Sequence, residues 1–275
     1  MFDYAHEFSV VMGYYNRKSQ VIRTLDRFKE TYGPSAGTGS DKYNYEVIIV
    51  DDNSSPEHTL DDIVANYDFP IRYIKISKEE KGGRINPCSV YNKGFRAAKG
   101  RVVVIQNPEC IHVGNLFEYL KHNLGDNDYK AFSCYNCTSN ELTQELLGNM
   151  SLINDPGFTQ RNKVCWYNHP QARPVHYHFC AAMTNDNLKV IGGFDEAFAE
   201  GAWYDDNEII LSIEKNLRAT IETVDPSKGF VVHQWHARDA ESTVDKAAHA
   251  GMIQKNKELY DTYTAVHSKY DFPYP

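Results

Sequence analysis

The feature that most limits what this chain can fold into is the alternation within its first hundred residues. Short β-branched runs trade places with longer stretches of helical period, the pattern of a mostly parallel sheet covered by helices. Phe8 to Met12 reads as a strand, and Ser19 to Tyr32 places Val21, Leu25, Phe28 and Tyr32 at helical spacing. A Gly/Ser-rich loop from Gly33 to Ser40 follows, then a strand from Glu46 to Val50. That strand runs into Asp51-Asp52-Asn53-Ser54, where Ser55 can cap a helix with Pro56 at its first position. Ile71 to Ile76 is a third strand, and Ser89 to Lys99 a helix stopped by Gly100. Val102 to Ile105 is a fourth strand, leading into Gln106-Asn107-Pro108-Glu109. Ligands of open α/β sheets collect at the carboxyl ends of the strands, so Asp51, Asp52, Asn107 and Glu109 are expected to face one crevice.

Beyond about residue 125 the pattern loosens into Asn-, Tyr- and His-rich sequence, as expected of a substrate-facing half built from loops. Asp239 to Tyr270 is polar and mostly helical, a C-terminal helix with a partly flexible tail. A chain of 275 residues, 41% of them hydrophobic, can bury one substantial core. Its 29 Lys+Arg against 37 Asp+Glu leave a formal charge of −8, which argues against nucleic acid or anionic lipid as partner, so a small anionic ligand needs a local basic pocket. The N-terminus lacks the pattern of a signal peptide and no run reaches the length of a membrane span, so a cytoplasmic protein with no integral membrane segment is expected, peripheral to a membrane only through its acceptor. Six scattered cysteines fit small buried thiols; Cys134 and Cys137 have CxxC spacing, but no second pair completes a zinc site.

Three stretches carry binding chemistry. In Gly13-Tyr14-Tyr15-Asn16-Arg17 a strand ends in two aromatics, an amide and a guanidinium, groups that stack on a nucleobase and bind ribose or phosphate. Taken alone, it fits an ordinary strand end with surface polar groups better. The adjacent carboxylates Asp51 and Asp52 repel one another, and acceptance of hydrogen bonds from a base or ribose explains them better than a helix cap does. Gly82-Gly83-Arg84, leading to Tyr91-Asn92-Lys93-Gly94, offers backbone donors and a fixed positive charge to a diphosphate, though glycine and arginine in a loop are common.

In this order, the pieces closely resemble the family 2 glycosyltransferases of the GT-A fold. There a leading strand ends in an aromatic-Asn pair, a second ends in Asp-Asp-x-Ser, and an Asn-x-Gly helix precedes a strand bearing a metal-binding Asp-x-Asp. Tyr14-Tyr15-Asn16, Asp51-Asp52-Asn53-Ser54 and Asn92-Lys93-Gly94 look like those parts, and the likeness continues through Ile191 to Glu196 and Tyr204 to Glu208. Two departures stand out. Gly13 sits where the family more often has proline, and Asn107-Pro108-Glu109 replaces Asp-x-Asp, with a neutral amide for the first carboxylate. An Asn carbonyl is the weaker ligand for a divalent cation.

The resemblance implies an α/β fold of GT-A (Rossmann-like) type. It predicts a mostly parallel sheet flanked by helices, a smaller mixed acceptor-side half and a C-terminal helix. The chain then divides into a nucleotide-sugar-binding half (1–110), a catalytic and acceptor-binding half (111–240) and a helix and tail (241–275), fused as one domain. The implied activity is inverting transfer of a sugar from a nucleotide diphosphate donor, a UDP-sugar, to a hydroxyl of a saccharide or glycan acceptor. Tyr14, Tyr15, Asn16, Arg17, Asp51, Asp52, Arg84, Asn92 and Asn107 would bind the donor. Glu109 would hold Mn²⁺ or Mg²⁺ with a later histidine; the His236-Ala237-Arg238-Asp239 run is similar to the metal-binding segment of β-1,4-galactosyltransferases, which favours His236 over His233. Matching Tyr204 to Glu208 with the family's Glu-Asp motif makes Asp206 the general base, with Asp205 beside it. Trp166, Arg173 and Trp203 are acceptor candidates, since aromatic faces pack on sugar rings and Arg binds hydroxyls. A silent GT-A module that only binds nucleotide or glycan is the main rival, motivated by Asn107; a nucleotidyltransferase is disfavoured because the first strand lacks a glycine-rich basic loop.

Overall fold

The computed structural model describes residues 4–33, 43–162, 166–237 and 245–269. Parts of three expected features therefore lie outside the described residues: most of the Gly/Ser loop (34–40), Arg238-Asp239, and the tail beyond 269. Among the described residues, ten strands and nine α-helices follow in chain order: β1 (His6–Tyr14), α1 (Lys18–Tyr32), β2 (Tyr45–Asp51), β3 (Ile71–Lys75), α2 (Lys78–Lys81), α3 (Cys88–Ala97), β4 (Gly100–Gln106), β5 (Cys110–Val113), α4 (Leu116–Asn123), β6 (Asp128–Asn136), α5 (Asn140–Gly148), α6 (Pro156–Arg161), β7 (Trp166–Asn168), β8 (Cys180–Thr184), α7 (Asn185–Ile191), α8 (Asp205–Leu217), β9 (Thr220–Val224), β10 (Phe230–His233) and α9 (Lys246–Lys269).

All strands belong to one sheet of order β3-β2-β1-β4-β8-β6-β10-β5, with β7 and β9 attached to β6. The β3-β2-β1-β4 part is parallel; β1, β2 and β4 pack into apolar clusters on both faces, Val10 and Val47 on one and Val11 and Ile48 on the other, whereas the edge strand β3 is only half-buried. Beyond β4 the sheet is mixed: β8 runs antiparallel to β4 and to β6, and β10 runs parallel to β6 and antiparallel to β5. The β4–β8 pairing joins the two parts of the chain in one continuous sheet.

The expected elements of the first hundred residues form, with local corrections. Ser55 caps no helix; Pro56–His58 is a single 3₁₀ turn, and the Ser55 backbone N–H and hydroxyl both donate to Asn16 Oδ1, at 2.9 and 3.3 Å. Gly100 does not stop the third helix, which ends at Ala97; it is the buried first residue of β4. The half beyond residue 125 is more regular than its sequence suggests. The nine-residue β6 is buried almost throughout and packs into core on both faces, Phe132 and Cys134 on one and Tyr129 and Ala131 on the other, so it needs no polar/apolar alternation. Cys88, Cys110, Cys134, Cys137 and Cys180 are free, buried thiols.

Beneath the strand ends lies an aromatic layer in which Phe117 stacks on Phe8 and on Tyr32, with ring centroids 4.6 and 4.0 Å apart. His112, on β5, is buried among these rings. Its Nδ1 meets the Tyr32 hydroxyl at 2.8 Å and its Nε2 meets Gln106 Oε1 at 2.7 Å. One nitrogen accepts and the other donates, so the pocket is built for the neutral ring, and burial lowers its pKa to about 3. The folded-state value lies below the ordinary 6.5, so as pH falls below 6.5 the unfolded chain gains a proton that the native state does not take. This residue should therefore remove about 1.4 kcal/mol of stability per pH unit in that range. Urea unfolding of His112→Gln between pH 7 and 5 should show a slope against pH flatter than wild type by about that amount; equal slopes would refute the neutral histidine.

Candidate active site

The parallel strands β1, β2 and β4 end on one edge, and the candidate residues are distributed along it. At the ends of β1 and β2 a hollow of about 140 Å³ is lined by Tyr14, Tyr15, Asp52, Lys81, Ile85 and Pro87, among others. Asp52 and Tyr15 share one cation. Lys81 Nζ lies 2.8 Å from Asp52 Oδ2 and 3.6 Å from the Tyr15 ring centroid. Burial raises the Asp52 carboxyl above its ordinary value, and Lys81 only partly offsets that. Lys81 was not singled out by the sequence reading; its position one residue before Gly82-Gly83-Arg84 is the signal that marks it. Arg84, which was, turns its side chain back onto α2, donating to the carbonyls of Lys81 and Glu80, and lines a neighbouring hollow with Glu200 and Met252.

Several expected ligands turn out to hold the loops of this pocket. Asp51 is buried; its Oδ1 accepts from Ser54 N at 2.8 Å and its Oδ2 accepts from the Tyr73 hydroxyl. Tyr14 is likewise buried and donates to the His58 carbonyl at 2.5 Å, leaving part of its ring at the pocket wall. Asn16, at φ 51°, grips the Ser54-Ser55 turn through its backbone and its amide oxygen. Arg17 precedes α1, and its Nη1 donates to the Asn16 carbonyl at 3.2 Å.

Asn92 lies away from the pocket. It latches α3 to the Gly-Gly-Phe-Asp turn, donating to Phe194 O at 2.8 Å and Glu196 Oε1 at 3.0 Å, and accepting from Phe194 N at 2.9 Å. Gly193 makes this latch possible: its φ is +81°, and a Cβ there would sit 2.4 Å from Asn92 Oδ1.

At the end of β4, Asn107 and Glu109 separate in role. Asn107 Oδ1 accepts from the Tyr91 hydroxyl at 3.0 Å, so it serves the scaffold. Glu109 meets two histidines. Its Oε1 lies 3.2 Å from His233 Nε2 and 3.3 Å from His236 Nε2, and the three potential ligand atoms lie within 4.8 Å of one another. Burial opposes charge on Glu109, but the two imidazoles outweigh it and hold the carboxyl well below the usual carboxylate range. Both histidines of the His-Gln-Trp-His run therefore reach Glu109, where the sequence favoured one. The intervening Gln234, fully buried, ties this corner together: its amide donates to Glu109 O and Gln20 O, each at 3.1 Å, and it accepts from Arg23 Nε at 2.5 Å. Thr24 of α1 adds a hydrogen bond to Pro108 O at 2.8 Å.

The carboxylate pair Asp205 and Asp206 opens α8, where negative charge suits the helix N-terminus. Trp203 and Tyr204, just before it, both have left-handed backbones, φ 62° and 65°, held in part by Asn256, which donates to Trp203 O at 2.8 Å. This turn leaves the Trp203 ring about half exposed beside the pair. Asp205 is buried and accepts from Asn86 Nδ2 at 3.0 Å; burial and then the neighbouring Asp206 raise its pKa to about 6. Asp206 lies against His178, whose Nδ1 is 2.5 Å from Asp206 Oδ1.

Tyr91 connects the two clusters, its hydroxyl on Asn107 and its ring edge-on to His178 at 5.3 Å. His178 and Phe179 are adjacent in the chain, and Phe179 packs 5.9 Å from His233. The carboxylate pair and the Glu109 cluster thus share one wall. Tyr167 belongs to it too, 5.3 Å from the His233 ring, with Arg173 at 5.9 Å from both Tyr167 and Tyr177. Trp166 does not: side chains alternate along a strand, and its ring packs against Tyr135 and Phe230 in the core instead.

The fold matches known structures at low sequence identity. A mannosyltransferase, PcManGT from Pyrobaculum calidifontis in complex with GDP-Man and Mn²⁺, superposes with a TM-score of 0.56 at 15% identity over 94% of this chain and 65% of its own. TarS 1–349 of S. aureus in complex with UDP-GlcNAc gives 0.55 at 15% identity, over 87% of this chain and 61% of its own. The chain spans less than two thirds of either structure, and the fold they share with it is GT-A. Among curated proteins, no sequence matches. The family model described as glycosyl transferase family 2 matches residues 9–191, from the first strand through the Asn-Lys-Gly helix to the turn that Asn92 latches, and this chain belongs to that family.

Proposed function

We propose that this chain transfers a sugar, with inversion, from a nucleotide diphosphate donor, a UDP-sugar, to a hydroxyl of a saccharide or glycan acceptor. The observation that carries the reading is the shared wall at the strand ends, where a pocket with an aromatic, a carboxylate and a cation leads to a Glu-His-His cluster and then to a paired carboxylate. Tyr15, Asp52 and Lys81 form the nucleoside end of the donor site: the ring offers a face for a base, Asp52 accepts from base or ribose, and Lys81 supplies positive charge.

Glu109, His233 and His236 fit a divalent cation. Their donor atoms converge, and one carboxylate oxygen with two imidazole nitrogens is a set that suits Mn²⁺ better than Mg²⁺, which prefers oxygen ligands and retained water. Such a cation, when bound, neutralises the diphosphate and stabilises it as a leaving group. The two imidazoles make good the carboxylate missing at Asn107, which weighs against a module that only binds. Asp206 takes the proton of the acceptor hydroxyl as that oxygen attacks the anomeric carbon; the bond from that carbon to the diphosphate oxygen breaks, and the nucleoside diphosphate leaves. Trp203 and Arg173 stand where an acceptor sugar would approach.

Asp206→Asn should lower turnover at least 1,000-fold while changing the affinity for nucleoside diphosphate by less than about threefold. Full activity in that variant, measured by release of nucleoside diphosphate, would remove the base assignment. Lys81→Ala should weaken nucleotide binding about tenfold by calorimetry, consistent with loss of a partly buried charged contact worth about 1.5 kcal/mol. Unchanged affinity would place the nucleotide elsewhere. For the cation, calorimetry of the chain without nucleotide should show Mn²⁺ binding more tightly than Mg²⁺, and His233→Ala should weaken Mn²⁺ at least tenfold. Equal binding of both ions, or an unaffected His233→Ala, would refute the Glu-His-His site.

A further inference from the structure

We propose that His178 is a positioning residue for Asp206: it pins one carboxylate oxygen and leaves the other to meet the acceptor hydroxyl. This rests on Asp206 being the base. Two contacts converge on Asp206 Oδ1, from His178 Nδ1 at 2.5 Å and from the His178 backbone N–H at 3.1 Å. The ring contact lacks the geometry of a hydrogen bond, so it acts through charge when the imidazole is protonated. Asp206 Oδ2 has no hydrogen-bond partner among the described residues, although Asp206 is only partly exposed.

The imidazole cannot swing away. Its side chain is about nine-tenths buried, edge-on to Tyr91 at 5.3 Å and to Phe194 at 4.8 Å. Phe194 is fixed by the Asn92 latch, and Tyr91 by its hydrogen bonds to Gln106 O and Asn107 Oδ1. Tyr91 thereby links the ring that touches the base to Asn107, two residues before Glu109.

Charge gives the contact a second effect. Adjacent carboxylates do not ionise independently, because each charge raises the cost of the next. Asp205 lies deeper, against Asn86, and its pKa is raised to about 6 by burial and by Asp206. His178, when protonated, brings its charge into contact with Asp206, whereas the partner of Asp205 is the neutral Asn86 amide. The His178 imidazole is held above its ordinary value: burial pulls it down, but Asp206, with Asp205 behind it, more than offsets this. The other titratable groups facing the pair are Tyr91, Tyr129, Cys88 and Glu208. Burial pushes the two phenols and the thiol up, so they stay neutral at working pH, while Glu208 is raised to about 7, first by burial.

The test is the pH profile of kcat for two variants, His178→Gln and His178→Phe, the second keeping a ring between Tyr91 and Phe194. Each should move the acidic limb upward by about one pH unit and lower kcat at neutral pH about tenfold, with partial recovery at higher pH and donor KM within about twofold of wild type. An unmoved limb, or a loss uniform with pH and accompanied by raised donor KM, would overturn the proposal. A measurement that leaves His178 intact guards against misfolding of both variants: the imidazole ¹⁵N titration of His178 by NMR should fall by about one unit in Asp206→Asn. No change there would overturn it as well. If Asp206→Asn keeps full turnover, the base assignment falls; if it is inactive while the His178 variants retain the wild-type profile, only the role of His178 does.

Discussion

Glu109 is a nearly buried carboxylate, and it carries charge there only because two imidazoles from the end of β10 lie on it. An isolated carboxylate at that depth would protonate rather than bear the desolvation cost. The surrounding scaffold is arranged to keep those three groups together. Thr24 and Gln20 on α1, and Gln234 between the histidines, fix the backbone of Pro108 and Glu109 from both sides. Because His233 belongs to a strand paired with both β5 and β6, its position depends on the mixed part of the sheet, while Glu109 follows from β4 in the parallel part. The cluster therefore exists only once both parts of the sheet have formed.

The same dependence recurs at the carboxylate pair. Asp205 and Asp206 are the first residues of α8, but what surrounds them comes from elsewhere: Asn86 from the turn before α3, His178 from the segment entering β8, and Asn256 from α9 holding the strained turn at Trp203. Left-handed backbones at two consecutive bulky residues cost of order 1–3 kcal/mol each and persist only where neighbours over-determine them. The two hydrogen bonds that Asn256 donates, to Phe198 O and Trp203 O, are such a constraint. The C-terminal helix thus has a structural share in the site even though it contributes no carboxylate to it.

The parallel strands and the helices between them were readable from the sequence because each is signalled locally, by an apolar run or a helical period. The family resemblance rested on motifs of the same local kind. Motifs, however, name positions and not the direction a side chain takes. Asn92 and Asp51 sit in recognisable motifs, yet their polar atoms tie the Phe194 turn and the Ser54 turn in place. Conversely, Lys81, Gln234 and His178 each acquire a role from a partner far away in the chain: Asp52, Glu109 and Asp206. Trp166 and Tyr167 show how fine the distinction is, since one step along a strand decides which of two aromatics enters the core and which faces His233.

Within Asn107-Pro108-Glu109 the geometry separates two roles, a neutral amide that holds Tyr91 and a carboxylate that meets two imidazoles. The Asn107 side chain accepts from Tyr91, whose ring reaches His178, so a charged residue at 107 would place a third carboxylate on the wall that Glu109 and Asp206 already occupy. A neutral amide avoids that repulsion and fixes Tyr91 at the same time. His233 adds a donor atom to the Glu109 cluster without adding negative charge. The cation proposed for this cluster would be held by one carboxylate and two nitrogens, so selectivity there would rest on ligand type more than on total charge.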